Sequence, residues 1–284
     1  MSNLDPMNNK IILFDESIAL SSDFLQLLKE LRLRVPDTSH KRRHENKFMQ
    51  TIDFSTQIIS WAKKIKRPIT ILDCACGNSY LSFVLYYLLT EVYHKQACII
   101  GVDLQEPLIK KCNTISKEIG YNGLEFKYAN INDFAPDRKI DVVYSLHACD
   151  VATDYAIAKA IKLGAKAGFF VSCCHKQISK QVQQDNFPIF TELLRNKPYK
   201  EKIGAFVTDT VRQLVLEGYN YKTTIFEFTP VRWTDKNIML KAILTGKPGQ
   251  SHKIENYKAF LDKKGLNSIL TELLEIQMPN DPEQ

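Results

Sequence analysis

Between residues 69 and 172 the chain repeats one pattern, a short apolar run followed by a stretch with apolar residues at helical spacing. The runs are 69–72, 97–102, 124–128, 140–146 and 168–172. Between the second and third, Leu108, Cys112, Ile115 and Ile119 recur at steps of four, three and four, the stripe of an amphipathic helix. Strands alternating with helices imply βαβ units, because parallel neighbours need a crossover long enough to hold a helix. Two later runs, 223–228 and 238–244, are joined by a short polar loop and predict an antiparallel pair at the end of the sheet. The expected fold class is therefore α/β, a doubly wound, seven-stranded, mostly parallel sheet.

The flanks are helical in pattern. Ser21 or Ser22 caps a helix carrying Phe24, Leu27, Leu28 and Leu31, and Pro36 follows its end. A second helix repeats at Phe48, Ile52, Ser55, Ile59 and Ala62, and Pro68 blocks its extension. Residues 177–219 exceed what a plain crossover needs and predict extra helices over the site. Residues 256–276 predict a helical tail with Leu266, Ile269, Leu270 and Leu273 on one face. The expected organisation is an N-terminal helical layer (1–68), a sheet domain (69–248) and a C-terminal helical tail (249–284).

Hydrophobic residues at 44% and charged residues at 25% suit a packed core and exclude global disorder. No run approaches the length of a membrane span, and residues 1–10 lack a secretory pattern. The seven cysteines are odd in number and mostly lie in apolar runs, the usage expected of reduced thiols in a cytoplasmic protein. No obligate protein partner is evident. The formal charge of +6 is concentrated in bursts at 41–43, 63–67 and 195–202, which suit either nucleic-acid phosphates or solvated helix ends.

The segment 70–81 (TILDCACGNSYL) carries the most chemistry. It reads as a strand, an acid (Asp73) at its end, a turn of small residues, and a helix start. Ala75, Gly77 and Ser79 alternate where a bulky side chain would hold a ligand off the backbone. A dinucleotide loop would need three glycines, and Asp73 would repel a pyrophosphate; the cationic methionyl end of S-adenosylmethionine suits that carboxylate. Asp103 ends the second strand, where an acid accepts ribose hydroxyls, with Leu104 beside it. Asn130 and Ile131, after the third strand, stand where such folds contact adenine, although an ordinary polar turn explains them too.

Residues 141–150 (DVVYSLHACD) with Ala152, Thr153 and Asp154 resemble an LHxCGxxTD segment, and 172–176 (SCCHK) resembles PCCHK. Lys41, Arg42, Arg43, His44 and Glu45 resemble a basic KKxHE before the first strand. Together these motifs, over roughly residues 40 to 175, resemble one branch of the class I S-adenosylmethionine-dependent methyltransferases. That branch includes eukaryotic methyltransferase-like proteins, the glutathione-S-transferase-C-terminal-domain-containing protein and, distantly, a tRNA ribose methyltransferase. The chain departs from the pattern at Ala75 and Ser79, which replace glycines of the cofactor loop, and at Asp150, which also replaces a glycine.

The resemblance implies that Asp73, His147, Cys149, Cys174 and His175 converge at the strands' C-terminal ends. Three readings of that cluster stand: a metal site, a structural cluster, or cofactor and substrate contacts in which His147, His175 or Asp150 serves catalysis and His147 also meets the cofactor. The expectation is no metal, because alternation would send adjacent Cys173 and Cys174 to opposite strand faces and no CxxC pair is present. Ser145-Leu146-His147-Ala148 replaces the Asn/Asp-Pro-Pro-aromatic segment of amino-directed base methyltransferases, leaving oxygen or ring-nitrogen acceptors open. The expected function is methylation of RNA (rRNA or tRNA), with Arg42, Arg43, His44 and Trp233 on the substrate. A protein or small-molecule acceptor and a non-catalytic cofactor-binding module are the alternatives.

Overall fold

The computed structural model describes residues 22–33 and 42–278. It divides into two compact units, Met1–Tyr128 with Glu227–Asn237, and Ala129–Phe226 with Ile238–Gln284.

Among the described residues of the first unit, helices α1 (Ser22–Glu30) and α2 (Arg42–Ala62) precede strand β1 (Ile69–Cys74). Then come α3 (Tyr80–Tyr87) with a π-helical extension (Leu88–Val92), β2 (Ala97–Asp103), α4 (Glu106–Glu118) and β3 (Leu124–Tyr128). The stripe expected on α2 is all buried: Phe48, Ile52, Ser55, Ile59 and Ala62. Asp53, Phe54 and Ile58 are buried as well, because the segment Glu227–Asn237 packs on another face of this helix. Thr229 Oγ1 donates to Asp53 Oδ2 at 2.5 Å, Gln50 Nε2 donates to the Trp233 carbonyl at 3.0 Å, and the Phe54 and Phe228 rings meet edge to face at 5.7 Å.

β1 and β2 pair in parallel from Ile69↔Ala97 to Cys74↔Val102, and β2 pairs with β3 from Ile99↔Leu124 to Asp103↔Tyr128. This register brings the C-terminal ends of the three strands level. Gly101 is required by packing, since a Cβ there would stand 2.5 Å from the Phe126 ring and 3.1 Å from Cys76 Sγ.

The second unit holds β4 (Val142–Ala148), α5 (Val151–Lys162), β5 (Ala167–Ser172), the short helices α6 (Lys176–Ser179) and α7 (Thr191–Leu194), and the long α8 (Lys197–Gly218). Strands β6 (Tyr221–Glu227) and β7 (Ile238–Leu244) and helices α9 (Ile254–Lys264) and α10 (Ile269–Leu273) follow. The strands form one seven-stranded sheet in the order β3-β2-β1-β4-β5-β7-β6, with β7 antiparallel to β5. The fold is the expected doubly wound, mostly parallel sheet.

The tail departs from expectation. Gly265 takes a left-handed conformation (φ 55°) and caps α9, so two helices stand where one continuous helical face was expected. Leu266 and Leu270 are buried, whereas Ile269 and Leu273 are half-buried. Among the described residues no helix is long and apolar enough to cross a membrane.

Candidate active site

The turn after β1 is held from below. Cys76 N–H donates to the Val102 carbonyl at 3.0 Å, and Ser79 N–H to the Cys76 carbonyl at 2.7 Å. Asp103 is buried at the end of β2, where Oδ2 accepts from Gly77 N–H at 2.8 Å and Oδ1 from Gln105 N–H at 2.9 Å. One carboxylate thus ties the β1 turn to the start of α4. Asp73 is buried too, and Ser82 Oγ on α3 donates to its Oδ2 at 2.5 Å. Burial, with the Asp73 and Asp103 charges behind it, pushes the Cys76 thiol well above its usual range, so this cysteine stays protonated and is no nucleophile.

Ala75, Gly77 and Ser79 all adopt left-handed backbone, with φ of 61°, 53° and 55°. The turn therefore keeps a glycine conformation at two residues that are not glycine. A Cβ at Gly77 would meet nothing within 4 Å, so this glycine serves its φ and an open approach to the backbone, not packing. A side chain in this region costs roughly 1–2 kcal/mol, and the extra unfolded-state freedom of glycine offsets about 0.4–1 kcal/mol. Ala75→Gly is expected to stabilise the protein by roughly 0.5–1 kcal/mol, read as a higher urea midpoint at unchanged slope. A lower midpoint would show that the Ala75 methyl contributes more than its backbone strain costs.

Beside this turn, Leu104, which follows the last residue of β2, and Tyr128, the last residue of β3 and the register partner of Asp103, have 63% and 60% of their surface exposed. Asn130 and Ile131 belong to the second unit. Asn130 is exposed, and its side-chain oxygen accepts from Asn132 N–H at 2.9 Å, which shapes the turn; Ile131 is buried.

In the second unit β4 ends irregularly. Its register against β5 shifts between Leu146 and Ala148, and His147 (φ 61°) and Asp150 (φ 49°) both have positive φ. Asp150 Oδ1 accepts from Gln177 N–H at 3.0 Å, so this carboxylate anchors the first turn of α6. His175 Nε2 lies 3.4 Å from Asp209 Oδ1 without the alignment of a hydrogen bond. Cys149, Cys173 and Cys174 draw together, with sulfur separations of 3.2 Å (149–173), 3.7 Å (173–174) and 3.9 Å (149–174). Burial and the two neighbouring thiols push the Cys173 thiol up to about 12. Of the two grounds for expecting no metal, the absence of a CxxC pair stands, but strand alternation at 173 and 174 does not hold: β5 stops at Ser172, and the two sulfurs lie 3.7 Å apart in the loop beyond it.

The sequence reading missed Arg212. It is fully buried on α8, where Nε and Nη2 form a fork on Asp154 at 2.7 and 3.1 Å. Nη1 donates to Ser172 Oγ at 2.9 Å and to Asp209 Oδ1 at 3.4 Å, and Nη2 donates to the Asp150 carbonyl at 3.0 Å. It thereby joins the ends of β4 and β5 to α8. Its one sequence signal was Asp154 in the Thr153-Asp154 motif, a buried acid that needs a cation.

Of the expected substrate residues, Trp233 is half-buried, and the Arg232 guanidinium already lies over its ring at 4.8 Å. Arg42, Arg43 and His44 start α2, but their side chains, and all of Lys41, lie outside the described residues. Lys47, one turn on, sits 5.1 Å from the ring centroid of Tyr80, the first residue of α3. The burst at 63–67 lies elsewhere: Lys63, Lys66 and Arg67 line a cavity of about 390 Å³ with Tyr93, His94 and Lys95, at the N-terminal ends of β1 and β2.

A family profile described as "Methyltransferase domain" matches residues 40–181, half of the chain. The chain belongs to this methyltransferase family. The match contains the β1 turn, Asp103, the end of β4 and the cysteine loop. Among curated proteins, the Xenopus laevis glutathione S-transferase C-terminal domain-containing protein is 29% identical over 164 residues, 56% of this chain and 25% of that protein. Its Homo sapiens counterpart is 29% identical over 147 residues, 51% and 22%. The chain thus spans about a quarter of the length of these relatives. Among solved structures, a magnesium protoporphyrin IX methyltransferase from Synechocystis PCC 6803 with bound SAH is 14% identical, over 84% of this chain and all of that one, with a TM-score of 0.46. An rRNA methylase from Streptococcus thermophilus is 10% identical, over 74% and 100%, with a TM-score of 0.42.

Proposed function

We propose that this chain is an S-adenosylmethionine-dependent methyltransferase acting on RNA. The carrying observation is the first unit's loop, where an open glycine backbone, a buried acid beneath it and exposed apolar area beside it meet at one strand edge. When bound, the cofactor supplies a methyl group on a cationic sulfur. In this reading Ala75, Gly77 and Ser79 let the methionyl end approach the backbone, and the Asp73 charge below the turn suits the sulfonium. Asp103 accepts the ribose hydroxyls on lone pairs that Gly77 and Gln105 leave free. Leu104 and Tyr128 offer apolar surface to adenine. In-line displacement owes much of its rate to positioning, so the chain's further tasks are to align the acceptor and receive its proton. His147 and His175 are the candidates for the proton, and Asp150 anchors the first turn of α6, which follows His175.

The RNA half of the reading rests on the basic start of α2, one turn before Lys47, whose ammonium sits 5.1 Å from the centroid of the Tyr80 ring. Trp233 with Arg232 is the candidate for stacking a base. A cytoplasmic location, and substrate contacts by Arg42, Arg43 and His44, go with this reading. The test is transfer of tritiated methyl to total RNA, with product lost after RNase treatment. Label that survives RNase moves the acceptor to protein or a small molecule. Cofactor binding without transfer leaves a binding module. Replacing Arg42 and Arg43 together by Ala should flatten the salt dependence of RNA binding by up to about two units of slope, each phosphate contact being worth roughly 0.7–0.9. Cofactor affinity should stay unchanged. An unaltered slope would remove this surface as the RNA site.

A further inference from the structure

We propose that Cys149, Cys173 and Cys174 form a three-thiolate site for a thiophilic closed-shell cation, zinc(II) or copper(I), with one coordination position open to solvent. The three sulfurs lie within 4.8 Å of one another, and all three cysteines are free. Zinc–thiolate bonds of about 2.3 Å in a tetrahedron set sulfur atoms about 3.8 Å apart. The separations of 3.7 and 3.9 Å meet that value, and the 3.2 Å pair needs to open by roughly half an ångström.

The geometry is built by backbone, not by chance approach of flexible side chains. Cys149 reaches the other two because β4 shifts register between Leu146 and Ala148 and because His147 and Asp150, on either side of it, hold positive φ. Such conformations persist only where surrounding structure imposes them, and they gather at functional sites. The same bend turns the His147 carbonyl oxygen toward the sulfurs, 3.7 Å from Cys173 and 4.0 Å from Cys149.

The donor set selects the ion. No carboxylate belongs to this group of side chains, so calcium and magnesium, which take oxygen ligands, are poor occupants, while soft thiolates favour zinc(II) and copper(I). His175 follows Cys174 in sequence, yet its Nε2 lies against Asp209 at 3.4 Å. Cys149 is exposed, so water reaches the remaining position, as in sites that keep a coordination place for an exchangeable ligand.

The experiment uses the full chain, reduced and loaded separately with zinc(II), cobalt(II) or copper(I), then desalted and analysed for metal. The expected result is about one zinc or one copper per chain, and for cobalt a thiolate-to-metal charge-transfer band in the near ultraviolet. Cys149→Ser and Cys173→Ser should lose the metal and the band, and Cys98→Ser should keep both. Because a serine variant can fail to fold, alkylation of the wild type is mapped by mass spectrometry with and without metal. Protection confined to Cys149, Cys173 and Cys174 is expected. Wild-type protein that keeps neither ion and alkylates identically in both states overturns the proposal. So does metal retained by the Cys149→Ser/Cys173→Ser double variant, or a Cys149–Cys173 disulfide in protein alkylated before purification.

Discussion

Replacing Arg212 by methionine is expected to cost about 3–5 kcal/mol of stability, the range for breaking a buried ion pair from one side. The guanidinium is fully buried, and its loss strands the Asp154 carboxylate, itself buried, without its two-point partner. Ser172 Oγ and the Asp150 carbonyl lose a donor in the same step. Arg212→Lys keeps the charge but not the planar fork, and should fall between wild type and methionine. The measurement is urea unfolding, where the midpoint should drop without a change of slope. Adding Asp154→Leu to Arg212→Met should recover part of the loss, since it removes the stranded charge instead of leaving it. A methionine variant as stable as wild type would mean that water reaches Asp154 and the cluster is not closed. The consequence reaches the site, because Arg212 binds the residue after Cys149 and the residue before Cys173 to one helix.

Asp103→Ala is expected to weaken S-adenosylmethionine binding by about 1.5–3 kcal/mol, roughly tenfold to 150-fold, the scale of lost charge-assisted hydrogen bonds. The carboxylate has two tasks: it holds the Gly77 and Gln105 amides, and in the proposed site it receives the ribose. Asp103→Asn separates them in part. The amide keeps one acceptor oxygen but turns an NH2 group toward a backbone N–H that needs an acceptor, so the turn loosens while an oxygen remains. Titration calorimetry gives the affinity, and circular dichroism shows whether the variant is folded. Unchanged affinity in a folded Asp103→Ala would take this residue out of the cofactor site.

Strand β3 and strand β7 begin and end where the apolar runs do; β1, β2 and β5 differ by one or two residues at one end, and β4 and β6 at both ends. This part of the molecule was legible because its signal is local: period, turn residues and apolar runs act within a dozen residues. Gly265 was legible too, as Gly after two lysines is a helix stop, but the apolar face of 256–276 was read across it.

The amino-acid sequence by itself determined the doubly wound sheet, the small-residue turn after the first strand, and the acids at the ends of the first two strands. Backbone sterics and hydrophobic period state these at short range. Tertiary structure alone decided that Arg212 answers Asp154 fifty-eight residues away, and that Glu227–Asn237 packs on α2. It also decided that Cys173 and Cys174 share a side with Cys149. Each of these depends on where a strand stops or how a distant helix is rotated. A strand that ended two residues later would have parted the two cysteines by its own alternation.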